Sequence, residues 1–274
     1  DFARRAAAAN PADARLRDLE IQALLSLGDG AAAMPLIESA RERQPLNQFY
    51  IALEASAARL LGERRYETLY DYERLVLPFE LPVPPGWSSI AAFHADLIPV
   101  LEDRHQFVAP PLDQSIRAGT QTPRGLLGDP DPTVRAFLDA IGAPIREYCE
   151  RLGTDPDHPL SSRNTGETHV IGCWSVRLHR NGFHVNHVHS EGWISSAYYV
   201  EVPDEVDDDA AQSGWLRLGE PKFGVPGATP EKFVKPSAGK LVLFPSYMWH
   251  GTTPIKGDSV RMSIAFDVVP SPDS

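Results

Sequence analysis

The chain has little cysteine. Cys149 and Cys173 are its only two in 274 residues, and they form no C-x-x-C pair. That excludes a disulfide framework and fits a reducing compartment. No apolar run reaches about 18 residues, so no segment reads as a membrane-spanning helix. Basic residues are outnumbered, 26 Lys and Arg against 37 Asp and Glu, for a net charge of −11. Phosphate-backbone binding needs a basic stripe, and none is present, which argues against a nucleic-acid partner. A soluble cytoplasmic protein is the default expectation. The first residue is Asp1 rather than Met, as expected of a trimmed or mature segment. What remains is an ordinary globular composition, 42% hydrophobic and 23% charged.

The N-terminal third is helical in pattern and repeats itself. Pro11 and Pro45 are 34 residues apart, and so are the Leu27-Gly28 and Leu61-Gly62 pairs. Apolar residues recur at helical spacing as Leu19, Ala23, Leu27 and as Leu53, Ala57, Leu60. A 34-residue period with Leu-Gly at a helix–helix corner resembles tetratricopeptide repeats over residues 1–76. A plain helical bundle is the alternative. Two such units need neighbours to bury their faces, so further repeats or the rest of the chain must cover them.

Residues 77–165 read as a connector with supporting helices. "LPFELPVPPGW" (77–87) carries four prolines and must be a loop or extended. Helices are expected over 88–105 and over 132–152, the second capped by Asp131-Pro132. Between them "QSIRAGTQT" (114–122) is rich in hydrogen-bonding groups, and Arg117 and Gln121 are candidates to reach a substrate. From Gly166 short strand-like runs take over, rich in Val, Ile, Tyr and Trp and broken by Gly, Pro and Asp. Helices followed by strands give an α+β class, with helical repeats ahead of a β-sandwich or barrel over 166–274.

"HVNHVH" (184–189) places three of the chain's nine histidines within six positions. In a strand, residues two apart share a face, so His187 and His189 can point at one ion. His184 would then face the other way. His250, after the apolar run "LVLFPSYMW", offers a third ligand. Three protein ligands with open positions suit oxygen-activating non-haem Fe(II), whose usual set is two histidines and a carboxylate. An alternative register, His189 with Glu191, would restore that carboxylate. Arg261 and Ser263 follow on one face of the next strand. A guanidinium beside a hydroxyl is a sensible clamp for a small dicarboxylate.

H-x-H, a gap of about sixty residues, a lone His after an apolar strand, and then R-x-S together resemble the Fe(II)/2-oxoglutarate-dependent oxygenases with the double-stranded β-helix (jelly-roll, cupin-like) fold. More narrowly they resemble a bacterial 2OG-Fe(II) oxygenase group in which H-x-H precedes an "S-[SG]-x-Y-Y" strand, some members carrying tetratricopeptide repeats. The resemblance implies His187, His189 and His250 as iron ligands and Arg261, helped by Ser263, as partner of the distal carboxylate of 2-oxoglutarate. These four form the expected catalytic set, with O2 as co-reactant. Of the pairs Tyr198/Tyr199 and Ser195/Ser196, one member each faces inward; Tyr198 and Ser196 are taken here as the cosubstrate contacts.

The resemblance implies a hydroxylase, and the helical repeats point to a peptide or protein substrate. The negative charge favours a basic one. Two other readings stay open: an inactive barrel in a repeat-based protein-binding module, and a three-histidine cupin-type metalloenzyme without 2-oxoglutarate. The oligomeric state leaves no mark on the sequence.

Overall fold

A computed structural model describes residues 2–10, 13–106 and 115–271 of the chain. Pro11 of the expected repeat, and Gln114 with the residues just before it, lie outside the described residues. Among the described residues no helix is long and apolar enough to cross a membrane.

The chain opens with helices α1 (Phe2–Ala9), α2 (Ala14–Ser26), α3 (Gly30–Arg43), α4 (Gln48–Leu61), α5 (Arg64–Leu69) and α6 (Tyr72–Leu75). The Asp13, Asp29 and Asn47 side chains accept backbone N–H groups at the starts of α2, α3 and α4. Gly28 and Gly62, at φ +78 and +67, end α2 and α4 in the left-handed region that glycine adopts without a Cβ clash. The buried stripe of α2 is Ile21 and Leu25, not Leu19 and Leu27, which are 54% and 76% exposed. In α4 Leu53 and Ala57 are buried as expected.

Next come β1 (Leu77–Glu80), α7 (Ile90–Arg104), β2 (Ile116–Gln121), α8 (Pro132–Ala140) and α9 (Gly142–Leu152). The single helix expected over 132–152 is therefore two. Gly142 and Pro144 sit at the break, and a proline cannot donate the bond that would continue α8. The proline-rich stretch begins as an edge strand, where Pro78 needs no donor. "QSIRAGTQT" contributes strand β2, with a bulge at Ala118, φ 48.

The rest is strand: β3 (Thr168–His184), β4 (Ile194–Glu201), β5 (Leu216–Leu218), β6 (Lys232–Val234), β7 (Lys240–Pro245), β8 (His250–Thr252) and β9 (Arg261–Pro270). Six strands form one antiparallel sheet in the order β1-β7-β4-β9-β3-β2, and three form a second in the order β6-β5-β8. Both sheets contribute walls to one cavity, as in a jelly roll. The two segments expected as connector thus supply both edges of the large sheet.

One hydrophobic core runs from the helices into the sheets. It includes Leu25, Ile37 and Leu53 on one side and Leu243, Trp249 and Phe266 on the other. Polar links reinforce it at one place. The Tyr70 hydroxyl donates to the Tyr247 carbonyl and accepts from the Trp249 N–H, and Trp249 Nε1 donates to Ser56 Oγ at 3.1 Å. The helices therefore pin the segment that leads directly into His250.

Candidate metal and cosubstrate site

His187, His189 and His250 come together. Their nearest ligand nitrogens all lie within 4.8 Å of one another. The rings of His187 and His250 are 4.3 Å apart between centroids, and His189 is 5.1 Å from each. The expected reason was strand periodicity, but the local structure is different. Regular pairing of β3 ends at His184. His187 pairs with His250 as an isolated bridge, each donating its N–H to the other's carbonyl at 2.9 and 3.0 Å. His189 lies beyond, its N–H donating to the Ser246 carbonyl at 3.1 Å. Gly251 allows the close passage of this segment, since a Cβ there would sit 2.4 Å from Asn186 Oδ1.

Each imidazole has its Nδ1 occupied. His187 Nδ1 is 2.9 Å from the Val185 carbonyl and His250 Nδ1 is 2.8 Å from the Met248 carbonyl. A carbonyl only accepts, so both Nδ1 atoms carry the proton and both Nε2 atoms keep a lone pair. Burial pushes His187 down to about 3, and burial with the neighbouring imidazoles drives His250 well below the ordinary range. Both rings are neutral at physiological pH, the state a metal requires. His189 Nδ1 faces Asp267, 2.6 Å from Oδ1 and 2.7 Å from Oδ2. Asp267 also accepts from Ser195 Oγ at 2.7 Å, and Ser195 contacts Ser246 Oγ at 2.9 Å.

The cavity beside the histidines has a volume of about 220 Å³. One wall is Arg261, Ser263 and Ala265 of β9, flanked in the same sheet by Trp174 and Val176 of β3 and Tyr199 of β4. Arg261 is 2% exposed. Its Nη1 donates to the Gly214 carbonyl, its guanidinium lies 5.7 Å from the Tyr199 ring centroid, and its Nε has no partner. The Tyr199 hydroxyl is likewise buried without a partner. A buried cation and a buried hydroxyl left with spare donors are what a small carboxylate would satisfy. Three imidazoles on one side and these donors on the other fit a metal ion plus a dicarboxylate.

Several expectations need correcting. Tyr198 points away from the cavity. Its hydroxyl meets His94 Nε2 at 2.6 Å and its ring packs on Phe137. Tyr199 is the cavity member, because β9 lines the cavity with Arg261, Ser263 and Ala265, and β4 places Tyr199 opposite Ser263 in register. Ser196 touches the cavity wall, but its hydroxyl bonds both the carbonyl and the N–H of Phe266. His184 does line the cavity, with Nδ1 2.9 Å from Ser115 Oγ, because the chain leaves strand geometry just after it. Glu191 is exposed and stands outside the histidine cluster. Gln121 lines the cavity, whereas Arg117 is not among its lining residues. Asp267 was missed, although the alternation Arg261, Ser263, Ala265, Asp267 is its signal.

Two antiparallel sheets bring three imidazoles and a buried guanidinium to one cavity, a candidate metal site with a candidate carboxylate-binding end. Residues 172–267 match the family described as "Putative 2OG-Fe(II) oxygenase". The match runs from β3 to β9, the strands that carry the histidines and Arg261, and Fe(II) and 2-oxoglutarate are the metal and cosubstrate that fit it. No curated protein matches the chain. Among solved structures, the non-heme alpha ketoglutarate dependent epimerase SnoN from nogalamycin biosynthesis aligns with a TM-score of 0.50 at 12% identity, over 75% of this chain and 80% of its own. A prolyl-4-hydroxylase from Pseudomonas putida aligns at 0.48 and 15% identity, over 75% of this chain and 98% of its own. A prolyl hydroxylase from Trichoplax adhaerens, in complex with a hypoxia inducible factor peptide fragment, aligns at 0.49 and 14%, over 77% and 92%. Likeness at such identities concerns the fold alone.

Proposed function

We propose that the protein is a 2-oxoglutarate-dependent hydroxylase acting on a peptide or protein side chain, with His187, His189 and His250 as metal ligands and Arg261 as the carboxylate clamp. The observation that carries this reading is the single cavity shared by three convergent imidazoles and a buried guanidinium with an unused donor. Bound there, Fe(II) supplies chelation of the 2-oxo acid and activation of O2, coupling conversion of 2-oxoglutarate to succinate and CO2 with oxidation of a substrate C–H bond.

The chain's own residues position and insulate. The carbonyls of Val185 and Met248 and the Asp267 carboxylate hold the proton on Nδ1 of the three rings, which aims each Nε2 inward. Arg261 takes the distal carboxylate through its unused donor, and Tyr199 and Ser263 add hydroxyl donors beside it. Trp174, Leu216 and Phe244 line the cavity with apolar surface that limits water. A three-histidine cupin-type reaction without 2-oxoglutarate would leave Arg261 and Tyr199 with nothing to bind.

The substrate class rests on the helices. We read α2–α3 and α4–α5 as two tetratricopeptide-like units. Leu27-Gly28 and Leu61-Gly62 each stand at a helix–helix corner, and stacked helical pairs present extended peptide-binding surface. The net charge of −11 favours a basic peptide. The test is Fe(II)-dependent succinate formation from 2-oxoglutarate, followed by a screen of basic peptides for gain of one oxygen atom. Turnover that needs Fe(II) and is lost in Arg261→Ala supports the reading. Absence of 2-oxoglutarate binding to the metal-loaded protein overturns it.

A further inference from the structure

Away from the metal cavity, a second pocket of about 510 Å³ lies between the N-terminal helices and the segment 156–163. Three arginines line it: Arg41 of α3, Arg65 of α5, and Arg163. The chain has eleven more acidic than basic residues, so an arginine here should find a carboxylate easily. Two do. Glu54, 4% exposed, accepts from Arg41 and from Arg65 Nη1 at 2.7 Å. Arg65 also has Glu38 and Glu63 at 3.8 and 3.9 Å. Arg163 does not. It has no ion pair and no side-chain hydrogen bond among the described residues, and its Nη1 is fully enclosed.

A half-buried guanidinium with one nitrogen enclosed and no acceptor is costly, and an anion would offset that cost. Arg41 adds to the shortfall, because its Nε is also buried without a partner. The other titratable groups of the pocket do not fill the gap. Asp157 is exposed. His158 is 3% exposed, lies 3.3 Å from the Thr68 carbonyl through Nε2, and accepts the Leu160 N–H on Nδ1, so it is neutral. Burial pushes both His158 and Arg163 toward their uncharged forms, as an uncompensated site would. The pocket itself is anchored. The Leu160 carbonyl accepts from Trp193 Nε1 at 2.8 Å, and Asn164 Nδ2 bonds the carbonyls of Cys149 and Gly153.

We propose that this pocket binds a small oxyanion, the phosphate or carboxylate group of a ligand, through the half-buried guanidinium of Arg163 in its wall. Guanidinium groups meet both oxyanions in a bidentate geometry, and the volume leaves room for more than the anion alone. The site does not depend on the oxygenase chemistry, so either can fail without the other.

The experiment is calorimetric and thermal titration of the full chain with inorganic phosphate and, separately, with succinate. The comparison proteins are Arg163→Gln, Arg163→Lys and Arg261→Ala. Succinate can also enter the metal cavity, so the signal that counts is the one lost in Arg163→Gln and kept in Arg261→Ala. The expected result is saturable binding with a rise in melting temperature, weakened at least about tenfold in Arg163→Gln and less in Arg163→Lys. Without added anion, Arg163→Gln should melt no lower than the parent, since it removes an unmatched charge. Response to phosphate identifies a phosphoryl ligand, and response to succinate alone a carboxylate. Lack of saturable binding to either, binding unchanged in Arg163→Gln, or an Arg163→Gln protein that fails to fold each overturns the proposal.

Discussion

The Asp267 carboxylate stands directly behind His189, 2.6 and 2.7 Å from its Nδ1 through the two oxygens. The three histidines proposed as ligands lack the carboxylate of the usual two-histidine facial site, and Asp267 places a negative charge one step out. Ser195 holds Asp267 in turn at 2.7 Å. Such a carboxylate fixes the ring and makes it a stronger donor to a metal.

Asp267→Asn should therefore weaken Fe(II) or Co(II) binding about 10- to 100-fold. Metal titration followed by calorimetry or by Co(II) absorption reads this without turnover. Affinity unchanged in Asp267→Asn would show that the carboxylate is only a structural partner.

Arg261→Ala should remove about 2–5 kcal/mol of 2-oxoglutarate affinity, because a buried charge pair loses one partner. Metal affinity should stay within a few-fold of the parent. Equilibrium binding of 2-oxoglutarate and of metal, measured separately, distinguishes a clamp from a general loss of folding.

The two neighbouring tyrosines should separate cleanly. Tyr199→Phe removes the buried hydroxyl in the cavity and should weaken 2-oxoglutarate by about 1.5–3 kcal/mol, the range for a bond to a charged group. Tyr198→Phe strips His94 of its partner and should cost about 1–3 kcal/mol of stability while leaving that affinity alone. Denaturant melts and binding titrations on both variants check the contrast.

Acid should destabilise the fold through His94 and His105. Burial holds each down to about 4, and His105 also feels the positive charge of Arg177. An unfolded imidazole takes its proton near 6.5. Between those values the unfolded chain binds protons that the folded chain refuses. Stability present above about pH 6.5 is thus lost as pH falls toward 4. Melting temperatures should drop from about pH 7 to pH 5, and less steeply in His105→Gln; a flat profile would contradict the assignment.

Much of the site was legible because its residues carry rare chemistry at readable spacing. Three clustered histidines, a distant fourth and an arginine alternating with a serine pointed to one cavity, and the family match covers the same span. The misreadings share one cause. Alternation tells which residues share a face but not which face is inside, so Tyr198 was chosen over Tyr199; Ser196 does line the cavity, with its hydroxyl engaged by Phe266. Phase is set by the register of β4 against β9, a long-range pairing. His184 was misplaced because its strand stops at that residue. On α2 the turn positions Leu19 and Leu27 look apolar, yet packing against α3 and α4 chose Ile21 and Leu25. The role of the helices in pinning Trp249, and through it His250, needs contacts nearly two hundred residues apart along the chain, |i−j| 193 for the Ser56 bond.

The most direct measurement is a crystal structure of the protein soaked under anaerobic conditions with Fe(II) and 2-oxoglutarate. The expected result is one metal ion held by Nε2 of His187, His189 and His250, chelated by the 2-oxo acid, with the distal carboxylate on Arg261 and Tyr199. A metal ligated by Glu191 in place of one of these imidazoles, or a dicarboxylate lying away from Arg261, would contradict it.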